Sequence, residues 1–168
     1  MYIILSLLQR HESSIDFSIR TSIDVLSTML EMMVKLRSFE EKLNDLYQQK
    51  AMFGSPHSYR GQEAIAVGVC SALEPGDQVS SYHRGTGHLV AKGADLYPLM
   101  CEALGRQDGY SKGRGGKMHM GDLSFGFIGT SGTVGATVPI ATGAALAAKL
   151  KKSGGVTVSF FGDGAMNQ

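Results

Sequence analysis

Apolar residues recur at three- and four-residue steps over residues 22–50: Leu26, Leu30, Met33, Leu36 or Arg37, Leu43, and Leu46 or Tyr47. Glu31, Lys35, Glu41 and Lys42 fall on the other faces. This period predicts an amphipathic helix, with Ser22 suited to cap its amino end. Met29, Met32 and Met33 read as filler for a core or an interface. The pattern breaks over 53–61, FGSPHSYRG, where Gly and Pro put His57 on a loop. Residues 62–73, QEAIAVGVCSAL, predict a second helix that the turn EPGD at 74–77 ends.

Residues 78–82 read as a short strand running into a loop, HRGTGH, at 83–88. Asp95 is suited to cap the helix LYPLMCEALG, with Gly105 as its stop. A glycine-rich stretch over 107–135 follows, interrupted by KMHM. Then ATVPIATGAALAAKLKK predicts a helix of small residues, fit to lie close against a sheet. GGVTVSFF is an unbroken apolar run, the signature of a strand buried on both faces of a parallel sheet. Helices alternating with such strands predict an α/β domain, with a mainly parallel sheet flanked by helices. The opening MYIILSLLQR is apolar, but no basic residue precedes it and no small-residue cleavage site follows. It is too short to cross a bilayer. Residues 1–21 therefore read as a poorly ordered or packing segment ahead of a domain at 22–168.

Composition narrows the classes. Hydrophobic residues make up 43% and charged residues 18%, which suits a folded core and excludes a disordered chain. Lys and Arg number 16 against 15 Asp and Glu, so no excess charge draws the chain to nucleic acid or a membrane. Cys70 and Cys101 lack metal-ligand spacing and read as buried, reduced thiols. They suit the cytoplasm, or a mitochondrial or plastid matrix. Glycine supplies 22 of 168 residues, above the usual share of roughly 7%, which directs attention to the loops.

Four stretches could carry chemistry. Asp163 follows the last strand between two glycines, at the end of a parallel strand where open α/β sheets bind ligands. Its carboxylate suits Mg²⁺ held partly by substrate phosphates, or else caps a helix that would follow. In SYHRGTGH, Arg84 offers a fixed fork for phosphate oxygens. His83 and His88 could donate to an anion or move a proton, although a solvated surface loop would have the same composition. SKGRGGKMH sets Lys112, Arg114 and Lys117 among glycines. Met118 after Gly116-Lys117, and no glycine five places before Gly116, exclude a P-loop. What remains is a flexible basic loop or a mobile cover over an anionic cofactor. Without interleaved aromatics it is no nucleic-acid patch. GTSGTVGATVP spaces its glycines as G-x-x-G-x-x-G, unlike a dinucleotide fingerprint, though its backbone could line a flat ring. His57 by itself suits a satisfied loop residue or a catalytic one.

Taken in order, LRSFEEKLNDLYQQ, HSYRGQEAIAVGV, HRGTGH, GRGGKMHM, SGTVGATVPIATGAALAAKL and FFGDGAMNQ resemble one family. It is the alpha subunit of thiamine-diphosphate-dependent 2-oxo acid dehydrogenases, of the acetoin and pyruvate dehydrogenase type. The similarity runs over 26–168. It implies an incomplete thiamine-diphosphate-binding domain preceded by an N-terminal helix. Asp163 would ligate Mg²⁺, and Gly164 and Ala165 would meet the diphosphate through their backbones. Arg84 would bind the diphosphate, His83 would sit in a neighbouring cofactor-contacting position, and Gly132 and Val134 would meet the aminopyrimidine end. His57, with His83, would face the substrate.

The implied reaction is oxidative decarboxylation of a 2-oxo acid, or cleavage of acetoin, followed by acyl transfer to a lipoyl group. The implied partners are a beta subunit, in a heterotetramer of two alpha and two beta chains, and a lipoyl-bearing acyltransferase. Thr86 departs from the family's H-R-G-H-G-H pattern, and Lys117 from the Ser of GGSMH. The family also continues to an Asn-Asn, whose first Asn is a second metal ligand, and to a loop with a further His. The sequence stops at Gln168. The reading therefore expects the N-terminal part of such a subunit, inactive and weak in cofactor binding by itself. A non-catalytic remnant acting as an interaction module, or another diphosphate or nucleotide enzyme on a similar frame, are the alternatives.

Overall fold

The apolar run after Gly155 becomes an interior strand of the sheet. A computed structural model describes residues 2–5 (backbone), 22–52, 54–55 and 57–168. Its elements are β1 (Tyr2–Leu5), α1 (Ile23–Gln48), α2 (Glu63–Cys70), β2 (Gln78–Tyr82), α3 (Thr86–Lys92) and α4 (Leu96–Ala103). β3 (Phe127–Ser131), α5 (Thr137–Lys151) and β4 (Thr157–Phe161) complete the order. The sheet runs β1-β4-β2-β3, with β2 parallel to both β3 and β4, and β1 antiparallel on β4. The domain is thus α/β with a mainly parallel sheet. The expectation for residues 1–21 falls, apart from β1, outside the described residues.

All five residues of β4 are buried. Val158 and Phe160 join a core with Val79, Phe127, Leu36, Leu43, Leu89 and Leu99, between the sheet and α1–α4. Successive strand residues point to opposite faces, so Ser159 and Phe161 turn toward the face on which α5 packs. α5 approaches through small residues, with Thr137 and Ala141 buried. Cys70 and Cys101 are free and buried, and burial pushes the Cys70 thiol up to about 12, which leaves it inert. No helix among the described residues is long and apolar enough to cross a membrane.

Ser22 caps α1 as its sequence predicts, accepting from the amide of Val25 at 3.3 Å. The buried stripe lies elsewhere than the periodicity suggests. Leu26 and Leu30 are 53% and 59% exposed, while Leu36, Phe39, Glu40 and Leu43 are buried. The buried residues of α1 run from Leu36 to Leu43. There Arg37 grips Glu63 through both carboxylate oxygens, at 2.7 and 3.1 Å. That hydrogen-bonded guanidinium holds the Glu63 carboxyl below its ordinary range.

Two readings of the glycine-bearing loops need correction. HRGTGH is not all loop: helix α3 begins at Thr86, and residues 86–90 are buried. Glycine is there for close packing, since a Cβ on Gly87 would overlap the ring of Tyr59 and one on Gly85 the methyl of Thr130. The glycine-rich stretch 107–135 is not all loop, and within it SKGRGGKMH, at 111–119, is packed down and does not stand free as a cover. The whole stretch contains β3, and its first part is wound round the buried carboxylate of Glu102. Amides of Ser111 and Gly113 donate to Oε2 at 2.7 and 2.9 Å, and those of Gly115 and Gly116 to Oε1 at 2.7 and 3.0 Å. Lys117 is no cover residue: it is buried, and its Nζ meets Glu40 at 2.6 Å.

His88 belongs to the core. It is fully buried and stacked on Phe160 at 3.7 Å, with Nε2 3.0 Å from the Tyr59 hydroxyl and Nδ1 2.8 Å from Ser81 Oγ. Burial pushes its pKa from 6.5 down to about 3, so the folded protein holds it neutral. The unfolded chain takes up a proton below 6.5 that the folded chain refuses. Stability due to this residue is therefore complete above pH 6.5 and is lost as pH falls toward 3, by at most about 1.4 kcal/mol per pH unit. Urea unfolding of the protein and of His88→Gln at pH 5 and pH 7 checks this. The substitution should shrink the difference between the two pH values, and an equal difference in both would refute it.

Candidate functional site

The loops that follow the three parallel strands converge. β2 lies between β3 and β4, so the chain leaves to one side of it and returns on the other, the switch point at which open α/β sheets bind ligands. A cavity of about 390 Å³ opens there, lined by His83 and Arg84 after β2, Val134 and its neighbours after β3, and Gly162 to Ala165 after β4. Gln62, at the start of α2, and Tyr82 close its side, with the Tyr82 hydroxyl donating to Gln62 Oε1 at 2.8 Å. Neither was picked out from the sequence. Tyr82 reads as an ordinary strand residue, and Gln62 stands within HSYRGQEAIAVGV without a role of its own.

Arg84 is the fixed cation of the cavity. Its Nη1 donates to the carbonyl of Ser58 at 2.7 Å, leaving other N–H donors for a ligand. His83 stands edge-on to His57, with ring centroids 4.8 Å apart, and to Tyr82 at 5.3 Å. Burial first, then the charges of His57 and Arg84, lower the His83 pKa below 6.5, so at neutral pH it is an uncharged imidazole. His57 reaches the site only through that ring contact and does not line the cavity. Its Nδ1 is buried without a hydrogen-bond partner among the described residues, the kind of group a ligand satisfies.

Asp163 opens a short 3-10 turn, Asp163–Asn167, at the cavity mouth and is exposed. Gly162, not Asp163, stands at the N-cap of that turn and brings it no side-chain cap. The amide of Ala165 donates to the carbonyl of Gly162 at 3.1 Å, so the turn must relax before that amide can reach a ligand. Gly132 lies just outside the lining, where a Cβ would stand 3.1 Å from the His119 ring.

The donors present fit a diphosphate. Arg84 supplies the charge, and the cavity lies at the carboxyl ends of parallel strands. They fit Mg²⁺ only in company with that diphosphate. Among the described residues no group of three His, Cys, Asp or Glu could hold a metal. Mg²⁺ commonly takes one or two carboxylates and draws its other ligands from phosphate and water.

The dehydrogenase E1 component family matches residues 31–168. The alpha subunit of acetoin:2,6-dichlorophenolindophenol oxidoreductase from Bacillus subtilis is 48% identical over 140 residues, 83% of this chain and 42% of that protein. The pyruvate dehydrogenase E1 component subunit alpha of Zymomonas mobilis is 44% identical over 137 residues, 81% of this chain and 39% of that one. Its mitochondrial counterpart from Solanum tuberosum is 40% identical over 151 residues, 90% of this chain and 39% of that one. The chain thus spans about two fifths of the length of these relatives.

Proposed function

This chain belongs to the dehydrogenase E1 component family, and from that premise we propose that its cavity holds the diphosphate end of thiamine diphosphate. Family membership itself implies thiamine diphosphate. The observation that carries the finer reading is one always-charged guanidinium, already tied at 2.7 Å to Ser58, at the carboxyl ends of three parallel strands and opposite a carboxylate. In this reading Arg84 neutralises the diphosphate, and Gly164 and Ala165 meet it through their amides once the turn relaxes. Asp163 gives Mg²⁺ a hard oxygen. Val134, with Gly132 beside it, receives the aminopyrimidine end. His83, uncharged, faces the substrate and accepts a proton or a hydrogen bond there, with His57 set behind it through their ring contact.

When bound, the cofactor supplies the electron sink for breaking a bond next to a carbonyl carbon. The protein's share is position and electrostatics. We assign to the protein, acting with a beta subunit, the oxidative decarboxylation of a pyruvate-like 2-oxo acid or the cleavage of acetoin, with acyl transfer to a lipoyl group on an acyltransferase. Two free, buried thiols support a reducing compartment, the cytoplasm or an organellar matrix. The test is turnover by the protein with its beta subunit, using 2,6-dichlorophenolindophenol as electron acceptor and acetoin, pyruvate and a branched-chain 2-oxo acid in turn. Thiamine-dependent reduction of the dye with acetoin or pyruvate is expected. No reduction with any of the three would sink the assignment.

A further inference from the structure

The most deeply buried ion pair among the described residues lies outside the cavity, yet it leads into it. Glu40, on α1, is fully buried, and its Oε2 takes three donors. Lys117 Nζ lies at 2.6 Å, Ser58 Oγ at 3.0 Å and the amide of Tyr59 at 3.0 Å. Three segments far apart in sequence therefore meet on one oxygen: a helix, the loop after it and the turn that ends the glycine-rich winding. The next residue contact is the one that matters, because the carbonyl of the same Ser58 accepts Arg84 Nη1 at 2.7 Å. His57, the residue before Ser58, stands against His83.

Burying two charges costs free energy that apolar packing would not, so such a pair is weak evidence for stability and better evidence for fixing one arrangement. Here burial lowers the pKa of Lys117, while Glu40 acts in the opposite sense. A free arginine side chain has many rotamers to lose. A carbonyl held in advance confines Arg84 before any ligand arrives, which is the general route by which preorganisation raises affinity.

We propose that Glu40 and Lys117 are positioning residues for the anion site, fixing Ser58 so that its carbonyl holds Arg84 ready in the cavity. The proposal rests on the reading of that cavity as a diphosphate site. They touch no ligand themselves. Their effect passes through one loop and one carbonyl.

The experiment is a titration of thiamine diphosphate, with Mg²⁺, into the enzyme assembled with its beta subunit. Removing Glu40 alone would strand a buried ammonium, so the pair is neutralised together as Glu40→Leu/Lys117→Met. This should weaken binding about tenfold, and Arg84→Gln about a hundredfold. Glu40→Gln/Lys117→Met keeps an acceptor for Ser58 and Tyr59 and should recover most of the loss. Added to Arg84→Gln, the Glu40→Leu/Lys117→Met change should cost nothing further, because its route to the ligand is already cut. Wild-type affinity in Glu40→Leu/Lys117→Met would overturn the proposal, as would its full tenfold loss reappearing beside Arg84→Gln. If Arg84→Gln binds as the wild type does, the diphosphate reading itself fails and takes the proposal with it.

Discussion

Glu102→Ala is expected to lower the stability of the fold by about 3–5 kcal/mol. The carboxylate is fully buried and accepts four amides, two on each oxygen. Alanine would leave all four donors without their acceptor, and each buried unsatisfied group costs roughly 1–3 kcal/mol unless water replaces it. Water entering the gap is the reason the sum falls short of four full penalties. Glu102→Gln is the informative control. Its amide keeps one acceptor oxygen but turns an NH₂ toward two N–H donors, so its loss should lie between those of alanine and wild type. Urea unfolding measures the stability, and limited proteolysis over 107–116 reports on the loop. A wild-type midpoint for Glu102→Ala would show that the winding holds itself without the carboxylate.

Asp163→Asn should leave the fold intact and remove most of the activity. Asp163 is exposed and belongs to no core contact, so the thermal midpoint should stay within a degree or two of wild type. Replacing a charged oxygen ligand by a neutral amide weakens the hold on a hard cation. In the proposed site the metal would shield the diphosphate charge only while held, so at ordinary Mg²⁺ turnover should fall at least about a hundredfold. The diagnostic reading is the Mg²⁺ dependence: half-maximal activity should require much more metal in the variant. Unchanged activity, or lost activity with an unchanged metal requirement, would remove Asp163 from the metal site.

The places where the sequence reading and the fold part company share a physical cause. Periodicity shows that one face of α1 is apolar, but not how far its neighbours extend. Leu26 and Leu30 fit the stripe as well as Leu36 and Leu43 do, and only the latter are buried. Two glycines make HRGTGH read as a loop, because glycine is a poor helix former. In the fold those glycines admit Tyr59 and Thr130 at a helix packed too closely for a Cβ, and helix propensity yields to packing. Lys117 among glycines reads as a solvated charge, since its partner Glu40 lies 77 residues away. His88 reads as a ligand candidate beside His83, although one turn of helix turns it into the core.

The candidate site was more legible. Arg84, His83 and Asp163 carry signals of their own, a forked cation, an imidazole and a carboxylate after a buried strand, while the family resemblance alone points to Val134, Gly164 and Ala165; all six line one cavity. Gln62 and Tyr82 stand inside HSYRGQEAIAVGV and SYHRGTGH, but only the cavity they close gives each a role.

Local chemistry thus sufficed for what depends on neighbours in the chain: Ser22 and Asp95 as helix caps, the small-residue stripe of α5 and the doubly buried strand β4. The same chemistry carried the family resemblance, because six short stretches keep their order. Tertiary structure alone decided which charges are solvated and which are buried. Burial and pairing depend on what long-range topology brings within a few ångströms, as Glu102 within its ring of amides and Lys117 against Glu40 make plain.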